Sequence, residues 1–125
     1  MDLNQYQNKA MRTDSNDYVN KLDQLLNGLL GLNGEAGEAI DIYKKWKFQG
    51  HILDKEKLIE ELGDALWYIA LSAKGLGVSL NEVARKNIDK LKQRYPNGFT
   101  PEASIERRDH DPNGEPDMPE VRDES

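Results

Sequence analysis

From Leu58 to Ala73 the chain reads LIEELGDALWYIALSA, apolar on nearly every side, with Glu60, Glu61 and Asp64 as its only charges. A helix apolar all round is normally buried, so acids on it call for a partner. Upstream, Leu22, Leu25, Leu26, Leu29, Asn33, Ala36 and Ile40 recur on one face with the helical period. The patterning predicts four helices, over roughly residues 2–12, 17–47, 55–75 and 80–94, with no strand alternation to compete. The punctuation agrees. KFQGHILD breaks the pattern at Gly50, Asp54 can cap the next helix, and Ser79 with Glu82 forms a capping box. Gly75 and Gly77 suit the helix end before it. Gly31, Gly34 and Gly37 lower the propensity of the second helix but permit close backbone approach or a kink. The expected fold class is all-α, a four-helix-bundle-like protomer.

Four carboxylates stand out against this frame. Glu35 and Glu38 lie in Glu-Ala-Gly-Glu, and Glu61 and Asp64 in Glu-Leu-Gly-Asp. Residues three apart on a helix are separated by about 60° around its axis, so each pair can point into one volume. On straight-helix arithmetic Glu61, Asp64 and Tyr68 share a stripe beside the face of Leu58, Leu62, Ala65 and Ile69, while Glu60 points elsewhere. Either acidic pair alone is ordinary on a solvated helix. Two pairs, one on a core helix, are the pattern of a divalent metal site between helices. Facing carboxylates repel and lose hydration, so they coexist only with cations or protons. Hard oxygen donors suit Mg²⁺, with Mn²⁺ as a substitute.

Glu35 and Glu38 fall on the side of the second helix away from its leucine stripe. That helix must bury one face and offer ligands from the other, which two helices joined by a short loop cannot both cover. The sequence therefore implies a homodimer or homotetramer packed on the leucine stripe.

Composition sets the outer bounds. At 125 residues, 37% hydrophobic and 32% charged, the chain can bury one modest core. It has no stretch approaching the ~20 apolar residues of a membrane span, and MDLNQYQNKAMRT lacks an apolar signal core. The absence of cysteine excludes disulfides, thiolate metal sites and a cysteine nucleophile. A soluble, cytoplasmic protein without a membrane partner is expected. All five prolines follow Tyr95, and residues 96–125 hold nine acids against three arginines, whereas residues 1–95 hold fourteen of each sign. The acidity is thus a property of the tail, and the division expected is a domain over 1–99 and a Pro-containing acidic tail over 100–125, disordered or an arm on a partner subunit.

On the last helix of the body Lys86, Lys90 and Arg94 form a cationic stripe, with Asn87 and Leu91 beside it. Such a row is an ordinary solvated face, or, near a metal site, a clamp for a phosphate chain. Other chemistries find no support. There is no phosphate-cradling glycine loop, and the body carries no excess basic charge for a nucleic acid polymer. The two histidines, His51 and His110, make no metal centre, and the lack of any ExxH argues against a di-iron bundle.

The segments GLNGEAGEAIDIYKKWKFQGH, EKLIEELGDALWYIA and NIDKLKQRYPNGF resemble the MazG-like nucleotide pyrophosphohydrolases of the all-α NTP pyrophosphatase superfamily, from about Gly28 to Phe99. The family pattern is ExxE, a spacer, then ExxD, and here 22 residues separate Glu38 from Glu61. The resemblance implies a helical bundle assembled as a dimer or dimer of dimers, with Mg²⁺ held by Glu35, Glu38, Glu61 and Asp64. It implies hydrolysis of a nucleoside triphosphate to the monophosphate and pyrophosphate, with Glu35 or Glu38 as the catalytic carboxylate that orients or deprotonates water. Tyr68, Asn87, Lys90 and Arg94 occupy the places of substrate-contacting residues in the family. Trp46, with Tyr43, Phe48 and His51 nearby, is a candidate to contact the base, while Trp67 is expected in the core. Leu66-Trp67-Tyr68 after ExxD departs from the pattern of phosphoribosyl-ATP enzymes, which ranks noncanonical or excess dNTPs first. The alternative is a non-catalytic helical oligomerisation or regulatory module whose acids bind metal structurally or face solvent.

Overall fold

A computed structural model describes residues 1–107, which form five helices: α1 (Leu3–Met11), α2 (Lys21–Gln49), α3 (Lys55–Gly75), α4 (Leu80–Arg94) and α5 (Pro101–Glu106). Among the described residues the sole non-helical pairing is an isolated bridge between Pro96 and Gly98. No helix among them is long and apolar enough to cross a membrane. Internal contacts divide the chain into two units, Met1–Val83 and Ala84–Ser125.

In the first unit α2 and α3 form an antiparallel hairpin whose ends are set by local chemistry. α2 begins at Lys21, not near residue 17, because Asn20 is extended (φ −151°) and its side chain accepts the Asp23 amide at 2.9 Å. It ends at Gly50, whose φ of 72° is the left-handed turn glycine adopts without strain. Asp54 then caps α3 by accepting the Lys57 amide at 3.0 Å. At the start of α4, the Glu82 amide donates to Ser79 Oγ at 3.1 Å.

The register of the hairpin is held by small residues. A methyl added at Gly75 would lie 2.7 Å from the Leu25 backbone nitrogen, and one at Gly28 would lie 2.9 Å from that of Ser72. A methyl at Gly31 would collide with the Tyr68 ring. These contacts climb α2 and descend α3 in steps of about one helical turn, three and three residues on α2 against three and four on α3. Continued along both helices, the same register sets Glu35 opposite Asp64 and Glu38 opposite Glu61. Gly34 and Gly37, by contrast, have open space where a Cβ would go.

The core lies at the other end of the hairpin. Ala70, Leu71 and Ala73 of α3 are buried, with Leu71 fully so, and Met11 of α1 and Leu80 of α4 close over them. Polar hooks fasten α1 there. The buried Gln7 donates to the carbonyls of Ala70 (3.2 Å) and Val78 (3.4 Å) and accepts the Leu80 amide (2.9 Å). Asn4 accepts the Asn81 amide at 3.0 Å. The bonds from the Leu80 and Asn81 amides satisfy donors in the first turn of α4 that have no partner within the helix.

The all-round burial expected of α3 holds for its second half alone. Ile59 and Leu62 are 51% and 64% exposed, because in this chain α2 is what covers that half, and it covers one side. The leucine stripe of α2 is likewise open, with Leu22, Leu26, Leu29 and Ile40 all exposed. α2 turns toward α3 its glycine and carboxylate face.

The link between α1 and α2 is organised by the buried Asp14. Its carboxylate accepts from the Tyr18 hydroxyl and from Gln24 Nε2, each at 2.9 Å, and lies 3.6 Å from Lys74 Nζ. Lys74 also donates to Asn16 Oδ1 at 3.1 Å. Burial alone would raise the Asp14 pKa, but the bonds from Tyr18 and Gln24, the Asn16 backbone and the Lys74 charge outweigh it, so the net shift is downward.

The second unit holds most of α4, the Pro96–Gly98 bridge and α5. α5 occupies the start of the segment expected to be an unstructured tail. Thr100 accepts the Ala103 amide at 3.1 Å and Pro101 takes the first helical position, a starting signal that the loss of apolar periodicity masks. The rest of the proposed tail, residues 108–125, lies outside the described residues.

Asp14→Asn is expected to destabilise the protein by about 1–3 kcal/mol near neutral pH, the scale of hydrogen bonds to a buried charge. A carboxylate whose folded pKa is lowered contributes stability above its unfolded pKa and loses it as pH falls through the folded value. The gap between the two urea midpoints should therefore shrink from pH 7 to pH 3. A gap constant with pH would contradict the role assigned to the charge.

Candidate metal centre

The acidic faces of α2 and α3 meet. Glu35, Glu38 and Glu61 each offer a carboxylate oxygen, and these atoms all lie within 4.8 Å of one another. Glu61 is buried, Glu35 half-buried and Glu38 exposed. One oxygen of Glu35 and one of Glu61 are buried with no hydrogen-bond partner in the structure. The hydrogen bond shared with Glu35 pushes the Glu61 pKa up, as do burial and the charges of Glu35 and Asp64, against the opposing effect of Glu38.

Asp64 stands outside this close set. It is exposed, and with Glu35, Thr13, Trp67 and Tyr68 it lines a cavity of about 460 Å³ beside the three carboxylates. Glu35 belongs to both groupings, sharing a hydrogen bond with Glu61 and lining the cavity together with Asp64. The donors fit a hard divalent cation. They are carboxylate oxygens throughout, close enough to share one ion, and two of them are buried without a donor.

The cavity wall contains residues that sequence reasoning missed. Trp67 packs against the buried cluster of Met11, Ala70, Leu71 and Leu80 as expected, and its half-buried ring also lines the cavity, a role not expected from the sequence. Its indole N–H donates to the Ala10 carbonyl (3.1 Å) and to Thr13 Oγ1 (2.8 Å), and its ring meets Tyr68 edge-on at 5.1 Å. A signal existed, because Trp67 follows Asp64 by three positions and so shares its helix face. Thr13 carried none, since it arrives only through the docking of α1. Tyr6 on the same helix belongs to this neighbourhood too: burial, and then the Asp64 charge, raise its hydroxyl pKa.

The other expected site residues divide. Tyr68 lines the cavity, as its spacing from Asp64 implied. Trp46 does not; it is 42% exposed on α2, its ring tilted against Tyr43 at 5.4 Å. Asn87, Lys90 and Arg94 are carried by α4 in the second unit. There Asn87 and Lys90 are exposed, and the Arg94 guanidinium sits 6.0 Å from the Tyr95 ring centre.

Comparison with known proteins agrees with the acidic pattern. The profile of the MazG nucleotide pyrophosphohydrolase domain matches residues 24–99. The "Gene 37 protein" of Mycobacterium phage L5 is 38% identical over 73 residues, 55% of this chain. The chain spans 64% of the length of that curated relative. No solved structure matches.

Removing one like charge from the cluster is expected to stabilise the metal-free protein. In EDTA at neutral pH, Glu61→Gln should melt above the wild type, and Mn²⁺ should raise the melting temperature of the wild type more than that of the variant. Equal Mn²⁺ responses in thermal melts would remove Glu61 from the ligand set.

Proposed function

This chain belongs to the MazG nucleotide pyrophosphohydrolase domain family, and we propose that it hydrolyses a nucleoside triphosphate to the monophosphate and pyrophosphate at the cavity between α2 and α3. The observation that carries this reading is the meeting of Glu35, Glu38 and Glu61 within 4.8 Å beside a cavity of about 460 Å³. A volume of that order suits a small-molecule ligand.

Glu35, Glu38 and Glu61, with Asp64 at the rim, would hold Mg²⁺, with Mn²⁺ as a substitute. The bound cation supplies Lewis acidity and neutralises the phosphate chain. Glu35 or Glu38 orients the attacking water and accepts its proton as the oxygen bonds to phosphorus. The bond between the α- and β-phosphates breaks, and pyrophosphate leaves. Tyr68 contributes to the cavity wall, and the half-buried face of Trp67 beside it helps exclude water. Lys90 and Arg94, with Asn87, are assigned to the phosphate chain, and Trp46 to the base. The substrate class proposed is a noncanonical or excess dNTP.

The working form proposed is a homodimer or homotetramer. Leu22, Leu26, Leu29 and Ile40 of α2 and Ile59 and Leu62 of α3 are exposed in the single chain, and burying apolar side chains against a partner is favourable. A second copy laid on the leucine stripe would cover it and leave the acidic face for chemistry.

Hydrolysis of a panel of common and modified NTPs and dNTPs with Mg²⁺ or Mn²⁺, scored separately for pyrophosphate and orthophosphate, tests the reaction. Pyrophosphate release is expected, and Glu38→Ala should reduce it at least a hundredfold with unchanged helicity by circular dichroism. An active Glu38→Ala protein, or no turnover of any nucleotide, overturns the assignment. For the assembly, light scattering over a concentration series should give a dimer or tetramer mass; a monomer mass at every concentration refutes it.

A further inference from the structure

The first unit has a second cavity, also of about 460 Å³, whose lining includes Asn8, Met11, Arg12, Lys21 and Lys74. Its charge is the reverse of the first. Three cationic side chains reach it from three elements: Arg12 from the end of α1, Lys21 from the first position of α2, and Lys74 from the last turn of α3. No acid is among its lining residues. Lys74 is 3.6 Å from Asp14, which offsets one charge, but Arg12 and Lys21 have no acidic partner among the described residues.

This gathering is not a by-product of a basic protein, because residues 1–95 carry fourteen acids and fourteen bases. Glu35 and Asp64 line one cavity, and Arg12, Lys21 and Lys74 the other. Asp64 and Lys74 are ten positions apart on α3, roughly 15 Å along a helix axis. An anion at the second cavity is therefore held by a separate set of groups from those at the first.

We infer that the cavity between the end of α1, the start of α2 and the end of α3 is a metal-independent binding site for a small phosphate-bearing anion, with Arg12 and Lys21 as its principal contacts. A planar guanidinium fork beside ammonium groups matches phosphate oxygens. A concave wall of protein around charges of one sign concentrates such anions from solution. Lys74 is already oriented by its bonds to Asn16 and Asp14. The buried Gln7, with its amide fully engaged by Ala70, Val78 and Leu80, makes part of the cavity wall rigid. The inference stands whether or not the carboxylate cavity hydrolyses nucleotides.

The test is calorimetric titration of the full chain in EDTA with inorganic pyrophosphate and, separately, adenosine monophosphate, at an ionic strength held constant with NaCl. Saturable binding of at least one probe is expected in the wild type and in Glu38→Ala. The double variant Arg12→Gln/Lys21→Gln should bind at least tenfold more weakly while keeping its helicity, and Lys21→Arg should retain binding. Tighter binding of pyrophosphate identifies a bare phosphate chain as the ligand, and tighter binding of the monophosphate a nucleotide. No saturable binding of either probe, equal affinity in the double variant, or loss of binding in Glu38→Ala would each overturn the assignment.

Discussion

The close approach of α2 to α3 at Gly75, Gly28 and Gly31 is the constraint from which the rest of the structure follows. Nothing larger than hydrogen fits at these positions without driving a side chain into the Leu25 or Ser72 backbone or the Tyr68 ring. The helices are thereby fixed both in separation and in register. That register lets acids separated by 22 residues in sequence meet within 4.8 Å in space. Leu71 and Ala70 of α3, with Met11 of α1 and Leu80 of α4, form the buried cluster that fastens α1 and the start of α4 to α3 at one end, and the other end is left for chemistry.

This division explains why α1 is fastened by hydrogen bonds as much as by packing. The core is small, and Gln7 and Trp67 add directional attachments that a few apolar contacts would not. Those attachments also place Thr13 and Tyr6 beside the acidic cavity. The carboxylates themselves work against folding. Buried oxygens without donors and a Glu61 pushed toward protonation are strain that a site tolerates when the surrounding structure over-determines it. The glycine register provides that determination without contributing any charge of its own.

Much of this was legible in the sequence because it is local. Gly50, Asp54 and Ser79 act within a turn of their own helix ends, so the breaks fell where the residues said. The pairing of Glu35 with Glu38 and of Glu61 with Asp64 is likewise a property of one helix at a time. What was hidden depends on how elements dock. Hydrophobic periodicity shows that Ile59 and Leu62 prefer cover, but not what provides it, and within one chain nothing does. Trp67 was legible as a core residue, and it packs on the buried cluster; that its N–H reaches Ala10 and Thr13 beside the cavity depends on the docking of α1 on α3. That Gly28, Gly31 and Gly75 touch α2 or α3 while Gly34 and Gly37 do not is equally a fact of register. At α5 the sign was local, Thr100 before Pro101, but charge and proline content drowned it.

The glycine seam also determines where the chain can change its length. A hairpin whose register came from its loop would shift with every residue gained or lost at the tip. Here the notches are at Gly28, Gly31 and Gly75, behind the acids, so helical turns added beyond Glu38 and before Glu61 only extend the tip into solvent. A single residue inserted between Gly31 and Glu35 is another matter, because it swings both acids of that pair by about 100° around the axis. The protein thus pairs a stretch free to grow or shrink over evolutionary time with a run of three residues, Leu32 to Gly34, whose number cannot vary.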